Sequence, residues 1–167
     1  MTAGESQRRG SVSAGLLLFR RSTTGTEVFL AHPGGPFWRH RDAGGWSIPK
    51  GGVNPGEQLL VAAQREFHEE TGIQALGPFL PLGSIRQKGG KIVHAWAWEG
   101  DADPAQIVSN SVEMEWPRGS GRTITVPEVD RCGWFPLPIA RGKMIAAQAE
   151  LLDRLQIVIN GGTAGSP

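Results

Sequence analysis

Three glutamates, Glu66, Glu69 and Glu70, crowd into five residues of a stretch that otherwise has every mark of one ordinary helix. Glu57–Thr71 contains no proline or glycine, is preceded by Asn54-Pro55-Gly56 and is followed by Gly72, which are start and stop signals. At the helical advance of about 100° per residue, Leu59, Leu60, Ala63 and Phe67 form an apolar stripe. The three carboxylates fall in an adjoining arc of about 100°, Glu70 almost within the stripe, while Gln64 and His68 point toward solvent. Like charges at these spacings destabilise a helix by roughly 0.2–0.5 kcal/mol per pair, and placing them beside apolar surface adds a desolvation cost. A hard divalent cation removes both penalties, because it takes carboxylate oxygens. The Gly51–Gly56 loop can bring backbone carbonyls to the same ions, and Arg65 can pair with Glu57 or with a member of the cluster. The plainer reading is a solvated acidic patch, and the spacing of the whole segment decides against it below.

The rest of the chain narrows the options. Its 167 residues suit one domain with a sizeable core. A net charge of +1 gives no strong case for nucleic acid or an anionic membrane. Cys132 is the single cysteine, which excludes an internal disulfide and argues against a cysteine zinc site. There is no apolar signal core and no apolar run of about 18 residues, so the expectation is a soluble, cytoplasmic protein with no membrane association. Polar or Gly-rich ends are expected to be flexible, as an N-terminus over 1–11 and a C-terminus over 159–167, around one domain at 12–158.

Strands are expected over Ser13–Arg20, Glu27–Ala31, Trp46–Ile48 and Cys132–Phe135. Leu82–Gln87 and Lys91–Glu99 flank Lys88-Gly89-Gly90 as a hairpin. In its second arm Ile92, His94, Trp96 and Trp98 share one face and Val93, Ala95 and Ala97 the other, as in a strand covered on both sides. Gly100–Val126 reads as a long irregular segment, and Leu137–Arg141 and Lys143–Leu155 as helices, the latter burying Ile145, Leu151, Leu152 and Leu155. The order is a mixed α/β layout.

Written out, the segment is Gly51-x5-Glu57-x7-Arg65-Glu66-Phe67-His68-Glu69-Glu70-Thr71-Gly72-Ile73. It resembles the Nudix box, G-x5-E-x7-R-E-U-x-E-E-x-G-U with U bulky and apolar, at every fixed position; Phe67 is aromatic where the family usually has an aliphatic residue. Residues 31–52, GSIRQKGGKIVHAWAWEGD, and SVEMEWPRGSGR through PEVDRCGWFPL are similar to a bacterial subgroup of nucleoside polyphosphate pyrophosphohydrolases, so the resemblance covers about residues 13–155. It implies a Nudix-type α/β/α sandwich with a mixed β-sheet and a loop–helix–loop catalytic motif. It also implies a divalent metal, Mg²⁺ with Mn²⁺ as a substitute, and attack of water on a diphosphate. By position, Glu69 and Glu70 correspond to the carboxylates that most directly bind metal, Glu66 to a third contributor, and Gly51 to the loop carbonyl. Arg65 and Glu57 correspond to the ion pair that steadies the helix.

Outside the box, the general base is expected at Glu69 or at Glu128, with Asp130 as the alternate; the resemblance places a metal-facing carboxylate near Glu128. Phosphate contacts are expected from cations in loops or at strand ends, Lys50 first, then Arg86 and Arg118, among a set that also holds Arg39, Arg41, Lys88, Lys91 and Arg122. Trp38, beside Phe37 in a Gly/Pro loop, is the candidate for base stacking, with Trp116 similar; Trp46, Trp96 and Trp134 read as core, as do His94 and Cys132. The leading expectation is hydrolysis of a nucleoside triphosphate or dinucleoside polyphosphate. Nucleotide sugars and capped RNA ends stay open, and so does a homodimer. The alternative is a non-catalytic sensing domain on the same fold, which usually loses box residues that this chain retains.

Overall fold

In a computed structural model of the chain, described over residues 11–161, an alternating strand at the centre organises everything else. β1 (Val12–Ser22) sends Leu17 and Phe19 to one face of a mixed sheet and Ala14, Leu16 and Leu18 to the other. All five are buried, so the sheet must be covered on both sides. β1 runs parallel to β5 (Ile92–Glu99) and antiparallel to β2 (Gly25–Pro33) and to the short β3 (Lys50–Gly52). β4 (Phe79–Arg86) pairs β5, and β8 (Val129–Pro136) pairs β2, giving the order β4-β5-β1-β2-β8 with β3 beside β1.

On one face lies α1 (Leu59–Thr71), whose Ala62, Ala63 and Phe67 are buried against Ala14, Leu16, Leu18, Phe29 and Trp98. On the other lie α2 (Leu137–Lys143) and α3 (Glu150–Ile159), which bury Ala140, Leu151, Leu152 and Leu155 against Leu17, Phe19, Val93, Ala95 and Ala97. The two faces of β5 divide as their alternation requires, Trp96 and Trp98 toward α1 and Val93, Ala95 and Ala97 toward α3. No described helix is long and apolar enough to cross a membrane.

Several sequence expectations need correction. α1 begins at Leu59, not Glu57, because Gly56 is left-handed (φ 77°) and Gln58 is extended. Trp46–Ile48 forms only isolated bridges, and the strand at this point is Lys50–Gly52, inside what reads as a Gly-rich loop. Gly100–Val126 is not irregular throughout: β6 (Ser111–Glu115) and β7 (Thr123–Pro127) form a separate hairpin. Lys143–Leu155 is not one helix. Trp46 N–H donates to Lys143 O and Ile145 N–H donates to Trp46 O, which draws the chain out of helix at Met144–Ile145 before a short 3₁₀ turn and α3. Ile159 still belongs to α3. Of the ends expected to be flexible, 1–10 and 162–167 lie outside the described residues, while Ser11 O accepts from Ile92 N–H and the Asn160 and Gly161 N–H groups donate back to Gln156 O and Val158 O.

Candidate active site

Arg65 organises the first half of the site. Its guanidinium donates to Glu57 Oε2 (2.8 Å) and Oε1 (2.9 Å), to Glu66 Oε1 (2.8 Å), to both oxygens of Glu69 (3.2 Å each) and to the Gly52 carbonyl (2.8 Å). One planar fork thus ties the segment before α1, two of its glutamates and β3 into a single piece. Glu57 also accepts from Asn54 N–H at 3.0 Å. These bonds, Arg65 first, hold the Glu57 carboxyl down at about 2 and raise the Arg65 guanidinium above its ordinary value.

β3 lies against the same helix. A Cβ on Gly51 would sit 2.0 Å from Glu66 Oε2, so a side chain at 51 would force the Glu66 carboxylate out of its present position. Next to it, the Lys50 N–H donates to Glu70 Oε2 at 3.1 Å. At its far end α1 stops on left-handed Gly72 (φ 77°), whose N–H returns to His68 O. Asn110, which the sequence reading passed over, then links the helix to the strand beyond. Its N–H donates to Glu69 O, and its carbonyl accepts from Glu128 N–H, both at 2.8 Å. This backbone bridge swings Glu128 toward the glutamates of α1.

The result is a cluster of carboxylate oxygens from Glu66, Glu70 and Glu128, all within 4.8 Å of one another. Burial pushes the Glu70 carboxyl up to about 8, and Glu66 and Glu128 rise in the same direction, again chiefly by desolvation. Three oxygen donors that repel one another in a poorly hydrated position are chemically suited to a hard divalent cation. Glu69 stands beside this trio, its own oxygens bonded to Arg65.

Glu70 and Glu128 also line a cavity of about 340 Å³, together with Trp38, Lys50, Gln87 and Lys91. Burial, and after it repulsion from Lys91, lower the Lys50 ammonium below its ordinary value. The structure therefore brings Lys50 and Trp38 to the carboxylates. Arg86 ends β4 and Arg118 lies in the turn between β6 and β7; both are exposed and neither lines this cavity. Gln87 is a lining residue that sequence reasoning did not find, since a lone glutamine carries no local signal.

Other placements differ from expectation. Gln64 is half-buried, donating to Ala75 O at 3.1 Å, rather than free in solvent. His94 is half-buried rather than core; the fully buried histidine is His32, whose Nδ1 meets Asp130 Oδ1 at 3.0 Å and whose Nε2 meets Arg41 O. Asp130 is thereby engaged with His32 and Arg131. Trp46 is core, while Trp134 is half-buried, stacked edge-on to Phe29 with its Nε1 donating to Ala102 O. Cys132 is buried, and that burial holds its thiol up at about 12, which makes it a packing residue.

Comparison with known proteins bears on the fold and the family. A stretch of 54 residues is 50% identical to an RNA pyrophosphohydrolase of Caulobacter vibrioides strain NA1000 / CB15N, covering 29% of this chain and 31% of that protein. The match therefore spans about a third of the relative's length. Among solved structures, an Ap4A hydrolase binary complex of C. elegans superposes with a TM-score of 0.62 at 22% identity, over 89% of this chain and 98% of that one. The NUDIX domain of Shewanella oneidensis NrtR, complexed with ADP ribose, gives 0.61 at 16% identity, over 95% and 99%. At these identities the superpositions speak for the fold. The family model described as NUDIX domain matches residues 9–155, nearly the whole chain, and the protein belongs to that family.

Proposed function

We propose that the chain is a divalent-metal-dependent pyrophosphohydrolase that cleaves a diphosphate linkage in a nucleoside 5′-polyphosphate, a nucleoside triphosphate or a dinucleoside polyphosphate, by attack of water on phosphorus. The observation that carries this reading is the clustering of Glu66, Glu70 and Glu128 at a cavity that also holds Lys50, Lys91 and Trp38. Nudix hydrolases generally use divalent metal, and this oxygen donor set fits Mg²⁺, or Mn²⁺ in its place. When bound, such ions neutralise phosphate charge and ease deprotonation of water.

The chain's own residues do the rest. Glu66, Glu70 and Glu128 would hold such an ion, with the Gly51 carbonyl and Glu69 as further candidate ligands. Arg65 keeps Glu66 and Glu69 in register by its forked hydrogen bonds. Glu69, with Glu128 as the alternative, takes the proton of the attacking water. Lys50 and Lys91 offset phosphate charge, and the Trp38 ring stacks on a base. A triphosphorylated RNA 5′ end is the second reading, favoured by the name of the Caulobacter relative and chemically the same polyphosphate.

Product analysis tests this. The purified protein with Mg²⁺ is incubated with nucleoside triphosphates, dinucleoside polyphosphates, triphosphorylated RNA, nucleotide sugars and NADH, beside Glu69→Gln. Cleavage of the polyphosphates, lost in the variant, is the expected result. Cleavage confined to nucleotide sugars or NADH removes the substrate class. No turnover, with ligand-induced thermal shifts retained, favours a sensing domain.

A further inference from the structure

A buried hydrogen-bond relay ends in the cavity, and its direction can be read without ambiguity. Gln148 is fully buried in the one-turn 3₁₀ segment that precedes α3. The Ile48 backbone N–H can only donate, and it bonds Gln148 Oε1 at 3.0 Å. The other arm of the amide, Nε2, must therefore be the donor, and it bonds both Ser47 Oγ and Gln87 Oε1 at 2.9 Å. Ser47 can accept because its own hydroxyl proton goes to Ile48 O at 2.7 Å. Every link has one donor and one acceptor, and the sequence of links is anchored by a backbone group that cannot be reversed.

The consequence falls on Gln87. Its carbonyl oxygen is committed to Gln148, so its Nε2 carries two N–H donors on a side chain that lines the cavity. Gln87 and Lys91 bracket the one-turn 3₁₀ segment Lys88–Gly90, closed by a bond from Gln87 N–H to Lys91 O at 2.7 Å. The cavity's two lysines, Lys50 and Lys91, are near enough to repel one another. On this side the cavity therefore has an amide Nε2 and two ammonium groups that offer hydrogens, with the Gln87 oxygen turned to Gln148, while its carboxylate acceptors, Glu70 and Glu128, belong to the acidic cluster.

We propose that Gln87, oriented by the positioning residue Gln148, joins Lys50 and Lys91 in an anion-binding wall that grips phosphate oxygens of the polyphosphate beside the scissile linkage. The proposal rests on the hydrolase reading for the identity of its ligand. A nucleobase edge presents donors and acceptors together, and its donors would have to turn from this wall to the Glu70 and Glu128 carboxylates of the acidic cluster. Phosphate oxygens present acceptors alone, and the amide N–H bond to them is charge-assisted.

The test is calorimetric titration in Mg²⁺ with methylenediphosphonate, whose carbon bridge resists hydrolysis, and with adenosine as the base-only probe. Gln87→Glu keeps an oxygen for Gln148 and replaces the donor with a carboxylate, so affinity for methylenediphosphonate should fall about ten-fold or more, while adenosine is unaffected. Gln148→Met should weaken methylenediphosphonate binding as Gln87→Met does, and the double variant should add little, because both act through one bond. A role for Gln148 in stability alone would lower the melting temperature and leave affinity intact, which overturns the relay. A wild-type protein that does not bind methylenediphosphonate, or a Gln87→Glu variant that loses adenosine instead, overturns the wall. If Gln148→Met does not fold, Gln87→Glu decides. Turnover of the substrate panel is scored separately: a protein that binds methylenediphosphonate through Gln87 yet hydrolyses nothing fails the hydrolase reading and keeps this one.

Discussion

Gly51 and Glu66 occupy nearly the same space: a Cβ at position 51 would lie 2.0 Å from Glu66 Oε2 and 2.1 Å from its Cδ. The glycine thus leaves room for the Glu66 carboxylate in its present position, with β3 paired to β1 through Ala14. Gly51→Ala should displace Glu66 from Glu70 and Glu128. The expected outcome is a weakened Mg²⁺ response, with a small loss of stability as the carboxylate leaves its bond to Arg65. Chemical denaturation and a Mg²⁺ titration followed by thermal shift read the two separately. A variant with wild-type metal affinity would show that Glu66 does not need its present position.

Arg65 should not tolerate lysine. Its fork serves Glu57, Glu66, Glu69 and the Gly52 carbonyl at once, and an ammonium has neither the planarity nor the number of donors in that geometry. Arg65→Lys is expected to lower kcat on the cleaved nucleotide by roughly ten-fold or more, as positional errors at reacting groups do, with a far smaller change in KM. A rise in KM alone would assign Arg65 to substrate binding instead.

The carboxylate cluster predicts an inverted pH dependence for the metal-free protein. Glu70 has its folded-state value near 8, above the ordinary 4.5 of the unfolded chain, so the folded state holds the proton more tightly between those values. Stability from this group is therefore fully present below about 4.5 and is lost as pH rises toward 8. Glu66 and Glu128 shift the same way. In EDTA the melting temperature should fall from pH 5 to pH 8, Glu70→Gln should flatten that fall, and Mg²⁺ should raise stability most at pH 8. A metal-free melting temperature that climbs over this range would contradict the burial of Glu70.

The helix of the box was legible because its information is local. Two glycines, an arginine and four glutamates at fixed spacing announce a helix with a charged flank, and Gly72 stops it where its backbone turns left-handed. β1, β2 and β5 were legible for a similar reason, their apolar runs having no other use. What escaped depends on partners far away in sequence. Nothing between Lys143 and Leu155 breaks a helix; the break comes from the Trp46 backbone reaching in from another part of the chain. The β6–β7 hairpin does alternate, Val112 and Met114 against Ile124 and Val126, but each strand is only five residues long, lies mostly exposed and pairs with no other strand of the sheet, so the signal is too short to stand out in a Gly- and Pro-rich stretch. Asn110 contributes only its backbone, to which sequence is blind. Gln87 and Gln148 lie 61 residues apart, and neither has meaning until the fold sets them 2.9 Å from each other.

Trp38 offers the sharpest separation of base from phosphate recognition. Its ring lines the cavity that holds Glu70 and Lys50, and it is braced edge-on by Phe37 at 5.1 Å, over which Arg41 stacks at 4.3 Å. The brace lets the indole keep one orientation without burial in a core. Stacking of a base on an aromatic side chain is worth about 1–3 kcal/mol, which corresponds to roughly five- to 150-fold in affinity. Trp38→Ala should therefore raise KM for nucleoside triphosphates within that range and leave the affinity for methylenediphosphonate unchanged, because the wall of Lys50, Gln87 and Lys91 does not depend on the ring. Equal losses for both ligands would mean that Trp38 shapes the cavity as a whole, and the base would then have to find its partner elsewhere on the Gly35–Gly45 loop.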